Sequence, residues 1–142
     1  RYFKSIESEI DLKAYPNISV VDFIGRMDLA YAASDLIVSR AGAMSIAELA
    51  LVGKPTILVP SPNVAEDHQT RNAEALTKSN AAILLADKEV GTQFFASVTA
   101  LLNNNEQRVT MSANMKSIAR PKAAAAVVDQ IEKLVKLSSR SK

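Results

Sequence analysis

Four short apolar runs set the terms of the fold: "NISVVDFI" (17–24), "LIVSR" (36–40), "KPTILVPS" (54–61) and "AAILLA" (81–86). Each is mostly apolar along its length instead of alternating apolar with polar. A strand of that kind is buried on both faces, as in a parallel sheet covered by helices. Helical stretches separate the runs: "MDLAYAASD" (27–35), "SIAELALVG" (45–53), which stops at Gly53, and "EDHQTRNAEALTKSN" (66–80). This alternation predicts an α/β chain, a parallel sheet with helices on both faces. A charged amphipathic helix over 2–13 leads in, so 1–14 reads as an entry segment and 15–87 as the core. Three helices follow, near 88–103, 106–118 and 121–137, broken at "NNN" and restarted at Pro121. The polar tail 138–142 is expected to fray.

Composition narrows the function. The chain has 142 residues, 48 % of them hydrophobic, enough for one core. A net charge of +2 is too small to argue for nucleic acid or an anionic membrane surface. With no cysteine, disulfides and thiolate chemistry are excluded, and one histidine, His68, excludes a multi-histidine metal site. No apolar run approaches the roughly 18 residues that span a bilayer, and no signal peptide is visible. The opening "RYFKSIESEI" lacks a methionine and reads as a stretch inside a longer protein, with the first strands of the sheet expected outside it.

In parallel α/β sheets, ligands bind beyond the carboxyl ends of the strands. The loops to inspect are therefore 24–27, 39–45, 60–67 and 86–89. In "VSRAGAMSIAEL" (38–49) the small residues Ala41, Gly42 and Ala43 stand at a strand-to-helix handover. Small residues let a ligand approach the backbone, and a helix N-terminus offers free N–H groups suited to phosphate. Ser45 adds a hydroxyl. A tight turn with no ligand is the plainer reading. Glu48 likewise has two readings. Ser45-x-x-Glu48 has the spacing of a capping box, in which Glu48 only steadies the helix start. Alternatively, its acceptor-only carboxylate takes two hydrogen bonds from a ribose diol. Beyond the third apolar run, Gln69 and Asn72 lie three apart on one helix face and can read sugar hydroxyls. The plainer reading is a solvated first turn with Asp67 serving the helix dipole. A phosphate-suited loop and a hydroxyl-suited loop at the same sheet end suggest a nucleotide-sugar site.

The stretch "DFIGRMDLAYAASDLIVSRAGAMSIAELALVGKPTILVPSPNVAEDHQTRNAEAL" carries four motifs in order: FI-x2-M-x3-Y-x2-(A/S)D, SRAGA-x-(S/T)-x2-E, GKP-x-ILVP and HQ-x2-NA-x2-L. It closely resembles, over about residues 15–135, the donor-binding half of the MurG family, glycosyltransferase family 28. These are bacterial UDP-N-acetylglucosamine:lipid I N-acetylglucosaminyltransferases of peptidoglycan synthesis. The resemblance implies a GT-B fold, two Rossmann-like domains across a cleft, of which this chain is most of the C-terminal one. It implies that the backbone at Ile24, after Phe23, reads uracil. It implies that Gly42, Ala43, Met44 and Ser45 wrap the pyrophosphate. Glu48 then binds the ribose, and Gln69 and Asn72 lie near the sugar with His68 beside them. Arg40 matches a motif arginine that braces the loop or has a role the resemblance leaves unassigned. The family's Gly-rich loop after the first strand is missing here.

By the same resemblance, the C4 hydroxyl of lipid-linked N-acetylmuramic acid attacks C1 of the donor sugar, with inversion, and UDP leaves. No cofactor or metal is implied. No general base is found in this chain, so it should be inactive alone. The lipid I acceptor and the membrane contact belong to an N-terminal domain, which places the protein on the cytoplasmic face of the inner membrane. Other readings stand beside this one. One is a different GT-B enzyme that uses UDP-sugars, such as a glycolipid synthase or a UDP-GlcNAc 2-epimerase. Another is a donor-binding subunit that needs a membrane partner, as in the divided dolichol-pathway transferase. The last is a Rossmann-like module without a ligand.

Overall fold

In the computed structural model, residues 11–62 and 67–140 are described, the side chains of 137–140 excepted. The chain divides into two compact units, Arg1–Ala33 and Ser34–Lys142.

Within the first unit, the helix expected over 2–13 lies mostly outside the described residues. Its end falls in a single 3-10 turn, Leu12–Ala14, where the Asp11 side chain accepts from the Lys13 N–H at 3.2 Å. Helix α1 spans Met27–Ala33. Arg26 clasps Asp28 at its start, through Nε at 2.9 Å and Nη2 at 2.7 Å. The guanidinium holds the Asp28 carboxylate below its ordinary range, and the carboxylate raises Arg26 in turn. The strand expected over 17–24 does not form. The Ile18 N–H turns back to the Tyr15 carbonyl at 2.9 Å, and Ile18, Val21 and Phe23 are half exposed or more. β-branched residues favour extended backbone, but a strand exists only through a hydrogen-bonded neighbour. Among the described residues this segment has none.

The second unit holds a parallel sheet of three strands, β1 (Ile37–Ser39), β2 (Thr56–Leu58) and β3 (Ile83–Leu84), in that spatial order. Val38 sits opposite Ile57, and Leu58 opposite Leu84. The apolar runs read from sequence are therefore right in place and kind but longer than the ladders they make. Pro55 and Pro60 bracket β2, and a proline cannot donate to a ladder. The middle strand is buried at every residue, as its unbroken apolar sequence requires. The core gathers Ile57, Val59, Leu85, Leu101 and Met111. Fully buried Thr56 is satisfied in place: its hydroxyl donates to the Lys54 carbonyl at 2.9 Å and its N–H to the Met111 sulfur at 3.3 Å.

Helices connect and follow the strands: α2 (Ala43–Val52), α3 (His68–Lys78), α4 (Val90–Asn103), α5 (Asn105–Ser117) and α6 (Ala123–Arg140). The asparagine break works as a cap, since the Asn104 side chain accepts from the Gln107 N–H at 3.0 Å and starts α5. Helix α6 begins two residues after Pro121 and runs through Arg140, so residues 138–140, expected to fray, are helical.

Gly53 ends α2 with φ of 64°, the left-handed conformation that a helix stop uses. A Cβ there would meet the Lys116 side chain. Gly53→Ala is expected to destabilise the chain by about 1–2 kcal/mol, the cost of a left-handed alanine, with no effect on ligand affinity. A denaturant titration checks this, and an unchanged midpoint contradicts it.

Candidate functional site

The chain leaves β1 at Ser39 and enters α2 at Ala43, two residues earlier than its sequence predicts. Gly42 is the N-cap, with no side-chain cap bond, and its carbonyl takes the Ile46 N–H at 2.9 Å. The N–H groups of Ala43, Met44 and Ser45 therefore have no intrahelical partner. The capping-box reading of Ser45 and Glu48 is thereby overturned. Ser45 is already in the helix, and Glu48 lies in the second turn, too far along to reach the cap. Among the described residues, no hydrogen bond or ion pair holds the Glu48 carboxylate, which stands exposed.

The small residues of this loop have different causes. Ala41 is fully buried, so its size is a matter of packing. Gly42 is not required by backbone or neighbours: its φ is −67°, and a Cβ would meet only Ser45 Oγ, at 3.7 Å. The missing side chain has no use inside the fold. Met44 is 89 % exposed at the same helix start.

Helix α3 supplies the amides. The Gln69 side-chain oxygen accepts from the Ser61 N–H at 2.9 Å. Asn72 Nδ2 donates to the Ala41 carbonyl at 3.1 Å. Each amide is thus half committed to holding a loop, Gln69 the one after β2 and Asn72 the one after β1. Gln69 keeps its NH₂ donors, and Asn72 keeps its oxygen. His68 is the first residue of α3 and is exposed. Before it stands Asp67, a non-glycine N-cap at φ 54° whose side chain makes no cap bond.

Arg40 receives a definite place. Its Nη1 donates to the Val59 and Pro60 carbonyls, each at 3.3 Å, and pairs with Asp87 beyond β3. One side chain thereby joins the carboxyl ends of all three strands. Nothing local in the sequence marks Asp87. Its loop, 86–89, lies at the carboxyl end of a strand, but a partner 47 residues away leaves no local signal. Asp87 also lines two hollows at this end of the sheet, about 380 Å³ with Pro60, Pro62 and Thr70, and about 300 Å³ with Val38, Arg40 and Phe94. A hollow of about 600 Å³ beside β3 and the start of α5 contains none of the predicted site residues.

The structure therefore brings Arg40, the 42–45 loop, Gln69 and Asn72 to one end of one unit, with Glu48 in the second turn of the helix that the loop opens. Phe23 and Ile24 belong to the first unit, where they are 81 % and 42 % exposed. Among the described residues no group of three or more His, Asp or Glu side chains could hold a metal, and no helix is long and apolar enough to cross a membrane.

Known proteins are similar to this chain in sequence and fold. Residues 2–131 match the model of the glycosyltransferase family 28 C-terminal domain. Two similar relatives carry the name UDP-N-acetylglucosamine--N-acetylmuramyl-(pentapeptide) pyrophosphoryl-undecaprenol N-acetylglucosamine transferase. The one from Flavobacterium psychrophilum is 49 % identical over 84 % of this chain and 32 % of its own length. The one from Porphyromonas gingivalis is 49 % identical over 97 % of this chain and 35 % of its own length. Among solved structures, Acinetobacter baumannii MurG is similar with a TM-score of 0.74 and 34 % identity, over 82 % of this chain and 33 % of that one. The chain spans about a third of the length of the curated relatives it matches. With its parallel α/β fold, the chain belongs to the glycosyltransferase family 28 C-terminal domain family.

Proposed function

We propose that this chain is the donor-binding part of an inverting transferase that moves N-acetylglucosamine from UDP to lipid-linked N-acetylmuramyl-pentapeptide. The single observation that carries the reading is the start of α2. Open N–H groups, a glycine with no use in the fold and an unpartnered carboxylate occur together on one helix. The diphosphate sits on the N–H groups of Ala43, Met44 and Ser45, where the helix dipole also favours negative charge. Glu48 accepts from both ribose hydroxyls. The Gln69 NH₂ and the Asn72 oxygen meet sugar hydroxyls, with His68 beside them.

During transfer, the acceptor C4 oxygen bonds to C1 of the sugar while the bond from C1 to the phosphate oxygen breaks. The acceptor proton passes to a base, and negative charge grows on the departing UDP. Preorganised N–H groups stabilise that charge without having to reorient. The lipid acceptor, the base and the contact with the cytoplasmic face of the membrane are assigned to the remaining two-thirds of the enzyme.

The test is UDP release by the full-length protein given UDP-N-acetylglucosamine and the lipid-linked acceptor, with UDP-N-acetylglucosamine binding followed by calorimetry. One-to-one binding and acceptor-dependent release are expected. A folded protein that binds no UDP-N-acetylglucosamine overturns the donor site. One that binds but releases nothing under any acceptor overturns the transferase reading and favours a donor-binding subunit.

A further inference from the structure

The bonds around Arg40 fix more than the sheet. Three consecutive residues, Ser39, Arg40 and Ala41, carry the chain from β1 to the N-cap of α2, and each is tied. Ser39 Oγ donates to the Arg40 carbonyl at 3.0 Å, and Asn72 Nδ2 donates to the Ala41 carbonyl at 3.1 Å. A carbonyl oxygen facing a phosphate repels it as an N–H attracts it. An anion site at a helix start therefore depends on the preceding carbonyls being engaged elsewhere, and here both are.

The Arg40 side chain anchors the same stretch laterally. It reaches across the end of β2 to the carbonyls of Val59 and Pro60, residues 19 and 20 positions away, and finishes on Asp87. Without the carboxylate, the guanidinium would hold the strand ends only through two neutral acceptors at 3.3 Å. Each carbonyl bond has one ionised partner, the guanidinium, whereas the bond to Asp87 has two, so Asp87 is the strongest single partner in the tie. It is 36 % exposed and Arg40 55 %, so water and salt weaken the pair and its loss should not unfold the chain.

We infer that Asp87 is a positioning residue for the donor diphosphate. Holding Arg40 across the strand ends, it fixes the entry of the chain into α2 and so the aim of the Ala43–Ser45 N–H groups. This rests on the donor-site reading and deepens it by a residue that lies in a different loop and touches no ligand.

The experiment is calorimetric titration of UDP into the full-length protein, reading Kd separately from stoichiometry. Asp87→Ala is expected to raise Kd about tenfold with stoichiometry unchanged. Asp87→Glu should restore Kd to within about threefold of wild type. Arg40→Ala combined with Asp87→Ala should bind no more weakly than Arg40→Ala alone, because Asp87 acts through Arg40. Should Asp87→Ala fail to fold, Asp87→Asn keeps the shape and drops the charge, with about a threefold rise expected. An unchanged Kd overturns the role, as does a loss carried entirely by stoichiometry, which marks a purely structural residue. Losses that multiply in the double variant also overturn it. A wild type that binds no UDP sinks the donor reading itself, whereas a wild type that binds as tightly as Asp87→Ala sinks only this inference.

Discussion

Glu48→Ala is expected to weaken UDP-N-acetylglucosamine binding by about 30- to 700-fold while leaving the melting temperature within about two degrees of wild type. The two halves of that result have separate causes. In the folded chain the carboxylate is exposed, makes no bond and cannot cap α2, because the helix has already begun at Ala43. Replacing an exposed helical glutamate with alanine, the best helix former, changes stability by no more than about 0.5 kcal/mol. With the donor bound, two charge-assisted hydrogen bonds to the ribose disappear. At about 1–2 kcal/mol each after desolvation, they total about 2–4 kcal/mol, and each 1.4 kcal/mol is tenfold in affinity. Glu48→Gln should fall between, keeping one acceptor oxygen and losing the charge. Calorimetry and thermal melting on the same samples check both halves. If Glu48→Ala binds normally but melts several degrees lower, the carboxylate serves the helix and the ribose site is elsewhere.

Gly42 gives the second large effect, again through a contrast between folding and binding. Its backbone sits at φ −67° and ψ 145°, which any residue adopts, and the space beside it admits a methyl group. Alanine is a poorer N-cap than glycine, but it also restricts the unfolded chain, and the two effects nearly cancel at about 0.5–1 kcal/mol each. Gly42→Ala should therefore melt close to wild type. A phosphate oxygen bonded to the neighbouring N–H groups lies about 3 Å from the backbone, so a side chain on Gly42 competes for its volume. UDP affinity is expected to drop at least about tenfold in Gly42→Ala and to vanish in Gly42→Val. Normal affinity in Gly42→Val would place the diphosphate away from this loop.

The residues differ in how far they could be read without a structure. The run "TILV" announces a buried strand because its burial is written in its own composition. Gly53 announces a helix stop for the same local reason, and its left-handed φ agrees. The segment 17–24 looked like a strand by the same criterion and is not one, since pairing depends on a neighbour that composition cannot name. The Ser45-x-x-Glu48 spacing points to a helix start two residues later than the real one. The chain caps with Gly42, and that shift removed the stabilising role offered for Glu48. By spacing alone, Gln69 and Asn72 suit either ligand amides or a solvated first turn. They turn out to hold two loops with one atom each, a division that spacing three apart cannot reveal.

By itself, the sequence determined what local chemistry can carry: the alternation of apolar runs with helices, the small residues after β1, the helix stop, and motifs specific enough to point to one family. Tertiary structure alone decided which groups remain available to a ligand. Arg40 is taken up by residues 19 to 47 positions away, and Ala41 is small for packing, while Gly42 and Glu48 are left without any internal task. The physical reason is that a hydrogen-bonding group serves either the fold or a ligand according to what lies within about 3 Å of it. For long side chains at the ends of parallel strands, those neighbours come from distant parts of the chain.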